Sequence, residues 1–377
     1  MSEAAAPNIQ KYFSFKRIIW PILIGVGIVG WLFYRDIQKS GNDLNSYFDQ
    51  VDWTGRTFFW LGMGLIMMVL RDFAYMWRMR VITNREMSWR ACFEVTLLWE
   101  FSSAASPSIV GGVAVAVFMF IKEKISAGRS AAIVFVTVLL DEAFYILMLP
   151  LCVIWVGHEM IFSPLYQMDA DGSVLGTGIL AAFWIAYGVI FVYVIFLMFG
   201  LFVRPEGISR SLKRLFNKRF LRRFRRRGFK TATEMQLASE EFGEKKFLFW
   251  LEASAATFLA WMARYLVLNC VLAAFVATEI SFRDHVIAFA RQAVLFVVMI
   301  VSPTPGSSGI AESTFRELFS DMIVPVGITM MIALIWRLIT YYPYLFIGIP
   351  ILPRWIKRVY ANDEVASEQE TVSTEQK

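Results

Sequence analysis

Ten charged residues stand within stretches of this chain that are otherwise apolar: Arg71, Asp72, Glu94, Glu100, Asp141, Glu142, Arg264, Arg291, Glu312 and Arg337. An ionised side chain in such surroundings is costly to keep and points to function. A guanidinium is planar and multidentate, which suits it to phosphate. Arg71, Arg264 and Arg337 are therefore expected to face a central cavity and hold the phosphate of a head group. Asp141, Glu142 and Glu312 are expected to serve as their partners or as proton carriers. The same residues read equally well as buried ion pairs that hold a helix bundle together. Arg78 and Arg80, close to the end of their apolar run, are expected to snorkel to an interface.

Two clusters of small residues interrupt apolar runs. Ser106-Pro107-Ser108 with Gly111-Gly112 breaks the stretch 91–121, and Ser302-Pro303-Thr304-Pro305-Gly306-Ser307-Ser308-Gly309 breaks the stretch 286–319. Proline removes a backbone donor and crowds the preceding turn, and glycine gives up helix propensity, so a helix should stop at each cluster. A helix that stops there leaves free backbone N–H groups and a positive dipole end, which attract anions. The hydroxyls of Ser106, Ser302, Ser307 and Ser308 add donors. The candidate binding set is then Arg71, Ser106, Gly111, Gly112, Asp141, Glu142, Arg264, Ser302, Gly306, Ser307, Ser308, Gly309, Glu312 and Arg337.

Catalytic and metal chemistry find little support in the residues. His158 and His285 sit in no metal-binding or catalytic spacing, and no nucleophile elbow or phosphate-binding Gly-Lys loop is present. Cys92, Cys152 and Cys270 are odd in number and far apart, so neither a disulfide framework nor a metal site is expected. No cofactor is expected, and the chain reads as something other than an enzyme.

The elements that must position these residues follow from composition. Apolar residues make up 57% of the 377 and charged residues 18%, with a mean hydropathy of +0.54. Soluble domains carry about 25% charge, so a polytopic membrane protein is implied and a large soluble domain excluded. Six stretches are long enough to cross a bilayer: 18–34, 57–78, 130–156, 177–203, 249–278 and 322–350. The first is read as a retained span, since no small-residue cleavage site follows it. The pieces around the first break are each too short for a ~30 Å hydrocarbon core. Both interrupted stretches are therefore expected to be re-entrant helical hairpins.

That topology puts the basic segments on one side. They are the N-terminus, Arg78 to Arg90, Lys122 to Arg129, the cytoplasmic loop 204–246, whose polar, helix-prone part from Thr231 to Lys246 is expected to form an amphipathic surface helix, and Arg354 to Arg358. The acidic or mixed loops fall on the other side, as cytoplasmic positive charge requires. Arg204 to Lys230 alone holds twelve basic residues, interleaved with Phe216, Phe220 and Phe224. It is read as a contact with the anionic cytoplasmic leaflet rather than with nucleic acid. The two halves also resemble each other. Ser106-Pro107 matches Ser302-Pro303, Arg71 matches Arg264, and Asp141 lines up with Arg337, at offsets of 193 to 197. Each half reads as three spans and one hairpin entered from opposite sides, an inverted-topology repeat of the kind that secondary transporters use. The expected organisation is a cytoplasmic N-terminus (1–17), a first repeat (18–156), an external loop (157–176), a second repeat (177–352) and a cytoplasmic acidic tail (353–377), disordered after Ala361.

Several segments resemble one known family. They are Leu70-Arg71 through Trp77-Arg78, then Ser106-Pro107 to Gly111-Gly112-Val113-Ala114, then Pro303 to Glu312, and Trp336-Arg337-Leu338-Ile339-Thr340-Tyr341-Tyr342-Pro343 with Gly348. Together they resemble the lysylphosphatidylglycerol synthase transmembrane region family, whose members are described as flippase-like. The resemblance implies an integral protein of a bacterial or archaeal plasma membrane. It implies that the region moves aminoacylated phospholipid between leaflets, while a separate soluble domain makes that lipid in fused relatives. No such domain follows residue 361 here, so synthase activity is not implied. The family often has Asp-Arg in the middle of the fourth element where this chain has Asp141-Glu142, and often has glycine where this chain has Ser307-Ser308.

Taken together, residues and resemblance lead to an all-α polytopic membrane protein of about six transmembrane helices and two re-entrant hairpins. Its expected function is to move a phospholipid or polyprenyl-phosphate-type lipid, anionic or aminoacylated, across the plasma membrane, with both termini cytoplasmic. The alternative is a scaffold or regulatory subunit of a lipid or envelope biosynthesis system. Membrane lipids, a second copy of the chain and a lipid-modifying enzyme are the candidate partners.

Overall fold

The computed structural model describes residues 53–106, 109–170, 174–218, 222–276, 280–300, 302, 304–323 and 328–375, with seven isolated helical positions between 23 and 38. The described residues are predominantly helical and contain no strand. Five helices are long and apolar enough to cross a membrane: Gly55–Ile82, Ala127–Val156, Leu180–Val203, Phe247–Phe275 and Thr329–Tyr360. They match five of the six expected spans, and the sixth, 18–34, lies almost wholly outside the described residues. The all-α polytopic membrane fold is as the hydropathy pattern implies.

In chain order the helices are α1 (Gly55–Ile82), α2 (Trp89–Ala105), α3 (Ile109–Lys122), α4 (Ala127–Val156), α5 (His158–Ala170), α6 (Val174–Met198), α7 (Pro205–Phe216), α8 (Arg225–Gly243), α9 (Phe247–Phe275), α10 (Phe282–Ile300), α11 (Ile310–Phe319), α12 (Thr329–Thr340) and α13 (Tyr342–Glu375). Local chemistry sets several of the ends. Ser88 caps α2, its Oγ accepting from the Ala91 N–H at 3.2 Å, and Ser126 caps α4. Gly157, at φ +93°, ends α4 in a conformation that favours glycine. Pro343 has no N–H to give the Ile339 carbonyl, so the last apolar run bends at Tyr341 between α12 and α13.

Each expected helix break is present, and each folds the chain back on itself. Arg358 bonds both Glu94, early in α2, and Glu123, just past α3. Further in, Trp99 meets Phe120 edge-on at 6.3 Å. Near the break a Cβ on Gly112 would lie 2.4 Å from Ser103 Oγ. Those three pairings run in opposite chain directions, so α2 and α3 form an antiparallel hairpin closed at Ser106. Likewise Arg291 of α10 bonds the Leu318 carbonyl and Asp321 at the far end of α11, making a second hairpin around 301–309. The same side chain ties the second hairpin to α5, because Arg291 also donates to the Met160 carbonyl and to the Ser163 hydroxyl.

Helices α1 and α9 pack along most of their length, and a Cβ on Gly64 would lie 3.7 Å from Cys270 Cβ and 3.9 Å from Val267 Cγ1. One apolar core gathers Phe144, Tyr145, Trp261, Tyr265 and Phe289, and another gathers Cys92, Leu98, Phe101, Phe120 and Trp355. The three cysteines are free and buried.

Three segments differ from expectation. The basic stretch is not a loop: α7, a short turn Arg222–Phe224 and α8 make a helical hairpin against α4, with Gly228 beneath the Phe216 ring. The presumed external loop contains α5, which starts once Gly157 has turned the chain. Disorder after Ala361 was inferred from low hydropathy, yet α13 continues to Glu375. Glu364, Ala366, Glu368, Gln369 and Glu370 are good helix formers and extend a helix already begun.

Candidate functional site

The helices enclose a cavity of about 300 Å³ walled by α1, α2, α3, α4, α9, α10, α12, the start of α13 and the second helix break. Its lining is a mixture of aromatic rings and charged groups. Arg78, Glu100, Asp141, Glu142, Arg264 and Arg337 all reach it. In an apolar bundle a volume lined in this way could solvate a head group with protein groups.

Each arginine near the cavity has a distinct setting. Arg71 is wholly buried behind the wall. Its Nη2 lies 2.9 Å from Asp72 and 3.1 Å from Glu100, and its guanidinium is stacked against Tyr75 at 5.3 Å and Tyr344 at 4.7 Å. Tyr344 completes the cluster by donating to Asp72. Arg71 is thus a support for Glu100 and not a group open to a ligand. Arg78 does not snorkel to an interface. It is buried, pairs with both Asp141 oxygens, and donates to Thr257 at 3.3 Å. The spacing Arg71, Tyr75, Arg78 puts all three on one face of α1, so a helical reading of position 78 points inward. Asp141 also accepts from Trp261 Nε1 at 2.6 Å.

Arg337 and Glu312 clamp the second break. Their side chains are 4% and 1% exposed and meet at 2.8 Å. Arg337 also donates to the Gly306 carbonyl, and Glu312 accepts from the Gly309 N–H at 2.6 Å. The break itself runs through the left-handed region at Gly306, Ser307 and Gly309. Its hydroxyls are spent on bracing it: Ser307 donates to the Met299 carbonyl, Thr304 donates to the Ser308 carbonyl, and Ser302 and Thr304 share a 3.0 Å contact. Ser302, Ser308 and Glu312 are buried around the turn, whereas Gly306 and Ser307 reach the cavity.

Arg264 is different. It is 28% exposed, its nearest carboxylate is Glu100 at 3.9 Å, and it rests over Trp261 at 5.1 Å and Phe296 at 5.6 Å. A guanidinium held on aromatic faces keeps its N–H edges free to take a phosphate bidentately. Of the arginines that reach the cavity, it is the one with hydrogen-bonding capacity in hand.

The structure therefore brings Asp141, Glu142, Arg264, Gly306, Ser307 and Arg337 to one cavity, with Arg71 and Glu312 one layer behind. At the first break Gly112 packs against Ser103, Ser106 ends α2, and only the helical backbone of Gly111 is described. Sequence reasoning had singled out Glu100 as a membrane charge without placing it in the site, and it passed over Tyr75, Thr96 and Gln292, which also line the wall. Glu100 lies where an acid in an apolar hairpin needs a cation, and Arg71 and Arg264 supply it. Thr96 and Gln292 give no such signal, since uncharged polar residues are common in helices. Among the described residues no three His, Cys, Asp or Glu side chains gather as a metal site.

Residues 18–348 match the family described as the lysylphosphatidylglycerol synthase TM region. The chain belongs to that family. The matched stretch takes in the whole cavity wall, from Tyr75 to Tyr344. A relative described as a UPF0104 membrane protein, from Archaeoglobus fulgidus, is 26% identical over 307 residues, covering 77% of this chain and 85% of its own. No solved structure matches the chain.

Proposed function

We propose that this family member carries a phosphate-bearing lipid between the leaflets of the plasma membrane. The lipid is a phospholipid or polyprenyl phosphate, anionic or aminoacylated. Arg264 carries the reading: a half-free guanidinium on an aromatic floor in a cavity inside a membrane bundle. Gly306 and Ser307 bring backbone from the second break to the same cavity. In this reading the two broken stretches are re-entrant hairpins of an inverted repeat, as in many secondary transporters. The termini and the basic α7–α8 hairpin lie on the cytoplasmic side, against anionic head groups. The protein transports without altering the lipid, and an enzyme that modifies the lipid would supply or consume it.

A scaffold reading draws on the buried ion pairs of Arg71, Arg78 and Arg337, which hold helices together whether or not anything moves. Head-group-labelled phosphatidylglycerol in vesicles separates the two. Quenching of the outer leaflet should report faster crossing with the protein than without it. Loss of one charge-assisted phosphate contact is worth about 1.5–3 kcal/mol, so Arg264→Ala should slow crossing by about tenfold or more. Crossing no faster than in protein-free vesicles would refute transport and leave the scaffold.

A further inference from the structure

The acidic side of the cavity does not balance its basic side. Four arginines, Arg71, Arg78, Arg264 and Arg337, meet five carboxylates, Asp72, Glu100, Asp141, Glu142 and Glu312. Four of the carboxylates have a guanidinium partner within 4 Å. Glu142 has none. Among the described residues it makes no hydrogen bond or ion pair, and its Oε2 is buried without a partner.

The groups around Glu142 do not relieve it. On its own helix Asp141 is another anion, already engaged by Arg78, and Tyr145 is neutral. From α9 come Arg264, which leans toward Glu100, and Tyr265. From α6 comes Tyr193. Tyr75 and Arg78 of α1, Glu100 of α2, Arg337 of α12, and Tyr341 and Tyr344 line the same cavity, while α3 and α10 bring no titratable group to its wall. An ionised carboxylate held in an apolar bundle with no counter-charge is costly, and the neutral acid removes most of that cost. A phosphate arriving at Arg264 would add a further negative charge to an already anionic site.

We propose that Glu142 is a proton-binding site, and that a proton on Glu142 and a lipid phosphate at Arg264 occupy the cavity together. The proton joins one Glu142 oxygen, its charge offsets that of the phosphate, and no other bond is made or broken. Each ligand then favours the other, since the coupling of two sites is reciprocal. A proton gradient across the membrane becomes the energy source for lipid movement. This rests on the reading of the cavity as a lipid-phosphate site.

Two measurements test it. Infrared difference spectra of the purified protein across pH 5.5 to 8.5 should contain a protonated carboxyl band that titrates, is lost in Glu142→Gln and is retained but shifted in Glu142→Asp. Short-chain phosphatidylglycerol, whose own phosphate does not titrate in that range, should bind more tightly as pH falls, by up to about tenfold per pH unit for one linked proton. Binding to Glu142→Gln should be independent of pH. A wild-type spectrum without the band overturns the inference, whether or not the protein moves lipid. So does a binding slope that survives in Glu142→Gln, or one set by sodium and not by pH. If the band titrates but labelled lipid does not cross in vesicles, the transport reading fails and the proton site stands.

Discussion

The clamp between Arg337 and Glu312 lends itself to a quantitative test. The two groups meet at 2.8 Å with almost no exposure. At an effective dielectric constant of about 20 their attraction is roughly 6 kcal/mol before desolvation is subtracted. Removing one partner leaves the other as a buried, unpaired charge, at a cost of about 3–5 kcal/mol. Arg337→Met also frees the Gly306 carbonyl, and Glu312→Gln retains an oxygen for the Gly309 N–H. The double variant has no uncompensated charge, so its cost should fall short of the sum of the two singles by about 2–3 kcal/mol. Unfolding in mixed micelles reads the difference through Trp336, which stacks on Phe315 at 5.7 Å beside the pair. Single variants that each cost less than about 1 kcal/mol, or losses that add within about 0.5 kcal/mol, would refute the clamp.

Two further outcomes follow from the packing. A Cβ at Gly348 would lie 2.2 Å from Phe101 Cγ, so Gly348→Ala should push α13 off α2 and cost about 1–3 kcal/mol in the same unfolding assay. If the α2–α3 hairpin is re-entrant, cysteines placed at Arg90 and Lys124 should react with a membrane-impermeant thiol reagent from the same face, and labelling from opposite faces would remove the hairpin topology from the proposal.

Much of this architecture is legible in the chain because membrane helices are written in composition. A long, mainly apolar run such as 130–156 has one low-cost structure in lipid, and α4 is that structure. The Pro-Gly cluster at 302–309 likewise predicts a stop, and the left-handed backbone at Gly306 and Gly309 explains why glycine stands there. What could not be read was partner choice. Arg71, Arg78, Arg264 and Arg337 are equivalent as letters in apolar runs, yet of these four only Arg264 has no carboxylate within hydrogen-bonding distance. The distinction depends on which carboxylate each helix presents across the bundle, and that is decided by packing between residues as far apart as Arg78 and Asp141. Ser302 and Ser307 show the same limit. Hydroxyls beside a helix break look available in the sequence, but this turn, with three left-handed residues, engages both in its own hydrogen bonds.

Helix α13 joins distant parts of the molecule along one rod. Tyr344 near its start holds Asp72 beside Arg71, Gly348 seats on Phe101, and Trp355 and Arg358 grip Glu123 and Glu94 at the mouth of the first hairpin. Its outer end runs on past these anchors to Glu375. Because one helix carries all of these contacts, a substitution that shifts it disturbs the support of Arg71 and the base of the first hairpin together.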